Sequence, residues 1–228
     1  MLNANRKKNE TAILILVTMV YTIWLLFNSL KYTINNPLVL TLEIIVNVAF
    51  VFLLSLWLSK KANINSVIEY GIFILFILYL FVLHQYVSYI NLQLYFLMDY
   101  VGHHHILFDR LNLYPFHTIL ESVSSSVQSQ AEYIQLAGNL FLLTPFAFAL
   151  LALQISKTAK TAVLTLLLVS IGIEVYQFIE SFINSGFKYG EGRATDIDDV
   201  ILNTSGAIIG VGLFKIYHYI GNFINKEE

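Results

Sequence analysis

The stretch that decides the fold is Gly190-Glu-Gly-Arg-Ala-Thr-Asp-Ile-Asp-Asp-Val-Ile-Leu-Asn-Thr-Ser-Gly-Ala-Ile-Ile-Gly-Val-Gly212. It opens polar, with Arg193, Asp196, Asp198 and Asp199 close together, and then turns apolar without a break. Read as a helix from about Asp196, residues Asp196, Asp199, Asn203, Gly206 and Gly210 recur at steps of three and four and so share one face. Carboxylates in a first turn cap free N–H groups and meet the positive end of the helix dipole. A simple cap needs one carboxylate. Three beside Arg193 point to a charge-paired cluster. Gly206 and Gly210 read as packing, places where a neighbouring helix comes close.

Composition sets the class. Of 228 residues, 57% are hydrophobic and 12% charged, against about 25% charged in soluble domains. The net charge of −2 and the lack of a basic patch give nucleic acid no footing. The chain has no cysteine, which excludes disulfides, thiolate metal sites and cysteine nucleophiles. Six apolar segments approach the ~20 helical residues that cross a bilayer core, near Thr11–Leu30, Leu38–Leu58, Val67–Ile90, Tyr133–Ile155, Thr161–Ile183 and Asp198–Ile220. Arg6-Lys7-Lys8 resembles a signal-peptide n-region. The apolar run behind it is too long and no small-x-small cleavage site follows, so a signal anchor is expected. The expected fold is an all-α polytopic membrane bundle of about six transmembrane helices. Residues 1–90 would form an N-terminal three-helix region and residues 91–228 an outer loop with three helices, in one integral domain.

Positive charge orients such a bundle. With a cytoplasmic N-terminus, Arg6, Lys7, Lys8, Lys60, Lys61, Lys157, Lys160, Lys215 and Lys226 lie inside, and Lys31, Arg110, Lys188 and Arg193 outside. Both termini are therefore expected in the cytoplasm, with outer loops at Asn91–Glu132 and Asn184–Ile197. In the longer loop Leu92–Met98 reads as an interfacial segment and Ser122–Ser129 as a tether.

Counting helical rise from the outer ends places Asn203, His84, Asn139, Gln177 and Glu43 about 7–10 Å deep and Glu174 about 13 Å deep. Glu174 and Gln177, at i and i+3, share a face. A carboxylate at that depth must be paired, protonated or open to a watery pocket, and ionisable residues within spans mark sites by default. Arg110 and Arg193 are the two outer arginines available to pair with the acids. His84 reads as a satisfied bundle histidine. His103-His104-His105 reads as a loop bend after Gly102, because adjacent histidines converge poorly on one ion. No metal and no cofactor are expected.

Three blocks together carry a family resemblance: Arg110-Leu-Asn-Leu-Tyr-Pro-Phe116, Gly138-Asn-Leu-Phe-Leu-Leu-Thr-Pro-Phe146, and Glu174-x-x-Gln177 followed by Arg193-x-x-Asp-Ile-Asp-Asp-x-x-x-Asn203-x-x-Gly206. In that order they resemble the VanZ-like family, over roughly Arg110 to Phe214. The resemblance carries over Asn112, Pro115, Phe116, Asn139, Pro145, Glu174, Gln177, Arg193, Asp196, Asp199, Asn203 and Gly206. The chain departs from the family pattern at Pro145-Phe-Ala147, where Pro-x-Gly is usual. Membership implies a multi-pass protein of the bacterial plasma membrane connected with envelope antibiotics, teicoplanin among them, and supplies no reaction.

The leading expectation is a non-enzymatic protein that engages an amphipathic envelope ligand at the outer leaflet. That ligand would be a lipid, a lipid-linked wall precursor or a lipoglycopeptide. The expected pocket comprises Glu174, Gln177, Arg193, Asp196, Asp199, Asn203, Asn139, Arg110 and Asn112. Two alternatives stay open: a membrane hydrolase or transferase on a lipid-linked substrate, with Glu174 or an aspartate as base, and a small-solute transporter.

Overall fold

The apolar runs become six helical segments long and apolar enough to cross a membrane. The computed structural model describes residues 2–29, 36–124, 130–188, 190 and 192–224. Lys31, Lys226 and the Ser125–Ser129 part of the expected tether lie outside the described residues. The chain divides into two compact units, Met1–His105 with Ile183–Glu191, and Ile106–Phe182 with Gly192–Glu228.

In the first unit, α1 (Leu2–Ser29), α2 (Pro37–Lys61) and α3 (Val67–Val87) pack on one another, and α4 (Leu92–Leu97) adds a short turn of helix. Local chemistry sets the starts. Asn36 caps α2 through the Leu38 and Val39 amides, with Pro37 at the first turn where a missing N–H costs nothing. Ser66 and Glu69 form a reciprocal capping box on α3. Leu14, Val51 and Ile77 fill the core, while Leu16, Ile23, Leu53 and Leu75 are exposed. An apolar surface of that kind suits lipid rather than water. The third membrane-spanning segment runs over Val67–Leu97 and so takes in the expected Val67–Ile90. Its first helix ends at Val87, where Ser88 donates its N–H to the His84 carbonyl.

The second unit holds β1 (Leu111–Asn112), α5 (His117–Ser124), α6 (Gln130–Leu142), α7 (Thr144–Ala152), α8 (Ala159–Asn184), β2 (Thr195–Asp196) and α9 (Ile197–Ile224). The two short strands pair in parallel, Leu111 with Thr195 and Asn112 with Asp196. The fourth span, expected as one helix, is two. It breaks at Leu143 because Pro145 in the first turn of α7 has no N–H to give and its ring crowds the carbonyl of residue i−4. The broken rod wraps α9, and the glycines are the reason it can. A Cβ on Gly206 would run into the Leu140 carbonyl, and one on Gly210 into the Thr144 carbonyl. The Thr144 hydroxyl donates to the Gly206 carbonyl at 2.9 Å in the same contact.

Gly206→Ala should therefore destabilise the protein by roughly 1–3 kcal/mol, since backbone on both sides must move. Gly212→Ala, whose Cβ meets nothing within 4 Å, should leave stability level or slightly higher. Thermal unfolding of the two variants in one detergent checks the contrast.

Candidate functional site

Two helix N-termini, those of α5 and α9, meet beside β1 and β2, and a bundle buried in lipid must find partners for their free N–H groups. Asp196 supplies one set. Its Oδ1 accepts the Asp198 N–H at 2.8 Å, the geometry of a cap on α9. The same carboxylate accepts the Asn112 amide at 2.8 Å and the Thr118 hydroxyl at 2.6 Å. Asn112 also donates to the Thr118 hydroxyl and takes the Tyr114 N–H on its oxygen at 3.0 Å, an Asx turn.

Asp198 supplies the other set and was not among the expected site residues. It is wholly buried and accepts the Phe116 N–H and, at 3.1 Å, the Ile119 N–H. It thereby caps α5 from another part of the chain. The helix needs this because its own cap position holds Phe116 at φ 66° after Pro115, and neither residue has a side-chain acceptor. Asp196 takes three donors and Asp198 two, and these bonds tie both to helix ends, a structural role.

Along α8 runs a buried polar stripe: Ser170, Glu174, Gln177 and Ser181, at steps of four, three and four. Each of three members meets a different piece of the neighbouring chain. Ser170 accepts the Asn203 amide at 3.1 Å. Glu174 accepts the Asp196 N–H at 2.9 Å. Ser181 lies so close to Gly192 that a Cβ there would overlap its side chain. Across from the stripe, Asp199 accepts the Asn139 amide of α6. The expected single face of α9 is thus shared between two neighbours, Asp199 and the glycines turning to α6–α7 and Asn203 to α8.

The middle of this seam has acceptors to spare. Among the described residues Glu174 and Asp199 each receive one hydrogen bond, where a carboxylate can take about four. Asn203 is 1% exposed and its Oδ1 has no partner. Turning the amide over would strand its nitrogen instead. Arg193 lies within electrostatic reach of Glu174, Asp199 and Glu180, the last a residue the sequence reading passed over. Arg110 donates to the Gly192 carbonyl. Both arginines line a narrow cleft with Leu107, Phe178, Ser181 and Phe182, and Glu174, Gln177, Asp196 and Asp199 do not line it.

Glu43 and His84 belong to the first unit and have a network of their own. Asn47 donates to the Glu43 and Ile90 carbonyls, so its Oδ1 is the acceptor that takes the Ile90 N–H and His84 Nε2. Nε2 therefore carries the proton, and Nδ1 accepts from the Ser88 hydroxyl at 2.8 Å. Glu43 accepts the Tyr89 hydroxyl and the Gln93 N–H. This histidine is satisfied. In the histidine run Gly102 makes the bend at φ 82°, His104 meets Tyr100, and the His105 N–H donates to Ser185. Among the described residues no group of three or more His, Cys, Asp or Glu is placed to hold a metal.

Asp198→Ala takes the acceptor from the Phe116 and Ile119 N–H groups and should cost up to about 1–3 kcal/mol for each that finds neither water nor another partner. Hydrogen exchange should show the loss first at the amides of His117–Ser124. Uniform protection across α5 in that variant would show that the cap is dispensable.

A family model described as VanZ/LLP1 matches residues 70–218, which takes in Asn112, the α8 stripe and the whole Asp196–Asn203 turn. No curated protein and no solved structure matches the chain. By the match over well more than half of its length, this chain belongs to the VanZ/LLP1 family.

Proposed function

We propose that this protein sits in the bacterial plasma membrane as a multi-pass receptor for an amphipathic envelope ligand, taken from the outer leaflet. A lipid, a lipid-linked wall precursor or a lipoglycopeptide such as teicoplanin fits that description. The observation that carries the reading is the acceptor surplus between α8 and α9. Burying an unpaired acceptor costs about 1–3 kcal/mol, and two under-bonded carboxylates cost more. Such a seam favours a ligand that brings donors, as sugar hydroxyls and peptide amides do, on a tail that stays in lipid. Gln177, Asn139 and Arg193 border the same seam.

A second reading draws on Arg193 standing within reach of Glu174 and Asp199. In transfer chemistry on a lipid-linked substrate, Glu174 would act as base and Arg193 would steady a phosphate.

Glu174 separates a site from mere adhesion. Glu174→Gln keeps the shape and one hydrogen-bond acceptor, and Glu174→Leu removes both. For a ligand site, each variant should accumulate in the membrane normally and lose the bound ligand or the teicoplanin phenotype. A well-expressed Glu174→Gln variant with full activity would exclude acid–base work at this residue.

The orientation of the proposal follows from the nine-to-four charge split. Because the chain has no cysteine, single substitutions report cleanly. Glu121→Cys should react with an impermeant thiol reagent on intact cells and Asn65→Cys should not, both positions being exposed. The opposite pattern would invert the topology.

A further inference from the structure

Ahead of the fourth span, residues 108–123 carry their side chains the opposite way round from a surface segment in water. Six large apolar side chains are exposed there: Phe108, Leu113, Tyr114, Phe116, Leu120 and Val123. In water a surface helix turns its apolar stripe toward the core and its polar side outward. On α5 the inward side is polar instead. The Thr118 hydroxyl donates to Asp196 at 2.6 Å, and Ser122, four residues on, is buried. Leu120 and Val123, at i and i+3, share a second side and are 64% and 66% exposed. His117 and Glu121, at i and i+4, share a third, with 3.8 Å between imidazole and carboxylate. The helix thus has a polar side against the protein, an apolar side facing out, and an ionisable edge between them.

Its position says what covers the apolar side. α5 packs on α6 and α9, and each of these opens a segment able to cross a membrane, Glu132–Ala152 and Ile197–Phe223. The helix therefore stands at the level where two spans begin, which is the boundary of the hydrocarbon. Tyr133 and Ile134, at the start of the fourth span, are exposed as well, so bare apolar side chains continue from α5 into the part of α6 that enters lipid. Lipid also requires that backbone N–H groups find partners inside the protein. α5 meets that requirement where a helix is weakest. Asp198 takes the Phe116 and Ile119 N–H groups, and the Tyr114 carbonyl takes that of His117.

We infer that α5 and the turn before it, residues 113–116, form an interfacial anchor that lies along one boundary of the bilayer, the outer one in the proposed topology. Leu120 and Val123 enter the acyl chains, and His117 and Glu121 face the head groups and water. An interfacial amphipathic helix sinks its apolar side about 5–10 Å into that boundary. Tyr114 suits the same level, because its ring is apolar and its hydroxyl polar. The anchor sets the depth of the Asp196–Asp198 turn, which is bonded to it. The inference does not depend on what the α8–α9 seam holds.

The test uses the full chain, which has no cysteine, reconstituted in vesicles of phosphatidylcholine and phosphatidylglycerol. Nitroxide labels are placed on Leu120→Cys, Val123→Cys, His117→Cys and Glu121→Cys, all at exposed positions. Collisions with oxygen, which concentrates in hydrocarbon, are compared with collisions with a nickel chelate, which stays in water. Labels at positions 120 and 123 should meet oxygen severalfold more often than the chelate, and labels at 117 and 121 should show the reverse. Chelate collisions at 120 and 123 as frequent as at 121 would place α5 in water and overturn the inference. Infrequent collisions with both reagents at 120 and 123 would mean that protein covers this side, whether another part of the chain or a second copy, and would overturn it too. Should Leu120→Cys fail to fold, Val123→Cys against Glu121→Cys decides, since the two positions lie on different sides of one helix. Failure of the ligand reading, seen with Glu174→Gln, leaves these collision ratios as expected, so the two proposals fail separately.

Discussion

A helix that starts inside or at the edge of a bilayer has up to four backbone N–H groups without partners and little water to take them. Two helices of the second unit start at the same place, and one short Asp-Ile-Asp run answers for both. Asp196 caps its own helix and Asp198 caps α5. This double cap fixes more than two helix ends. It ties Asn112 and Thr118 to Asp196, brings β1 beside β2, and through that pairing sets Arg110 and Arg193 at one edge. The Glu174 carboxylate closes the arrangement from α8 by taking the Asp196 N–H. Most of the second unit's polar order can be traced to that knot.

Counting hydrogen bonds divides the acids into two kinds. Asp196 takes three donors and Asp198 two, and their burial is compensated by charge-assisted bonds of about 1.5–3 kcal/mol apiece. Their role needs no ligand. Glu174 and Asn203 are buried to a similar degree, and these two and the half-buried Asp199 have fewer partners. A structural network would be expected to finish its bonds, because a half-satisfied one costs more than apolar packing. That contrast between the start of α9 and the seam it makes with α8 is the physical ground for a binding role.

Much of this was legible in the chain. The six spans follow from apolar length alone. The cap at Asp196, the packing role of Gly206 and Gly210, and the burial of Glu174 and Gln177 follow from helical spacing. What stayed hidden was long-range. Nothing near Asp198 says that its donors lie 82 and 79 residues earlier in the chain, although Pro115-Phe116 ahead of an eight-residue helix is the mark of a helix with no cap of its own. Ser170 and Ser181 extend the Glu174–Gln177 face at regular steps, yet serine is too common in membrane helices to stand out. The break at Leu143 was signalled by Pro145, whose effect depends on where the helix is already weak. Depth counting could not tell that Glu43 and His84 belong to a separate unit with its own closed network.

The central claim is that the surplus acceptors between α8 and α9 hold a donor-bearing amphiphile. Native mass spectrometry of the full chain, released from mild detergent without added lipid, tests it most directly. The account predicts a retained adduct with a polar, donor-rich head, and loss of that adduct when Asn203→Leu removes the buried amide. A clean apoprotein spectrum under conditions that preserve known lipid adducts on other membrane proteins, or an adduct indifferent to Asn203→Leu, would contradict it.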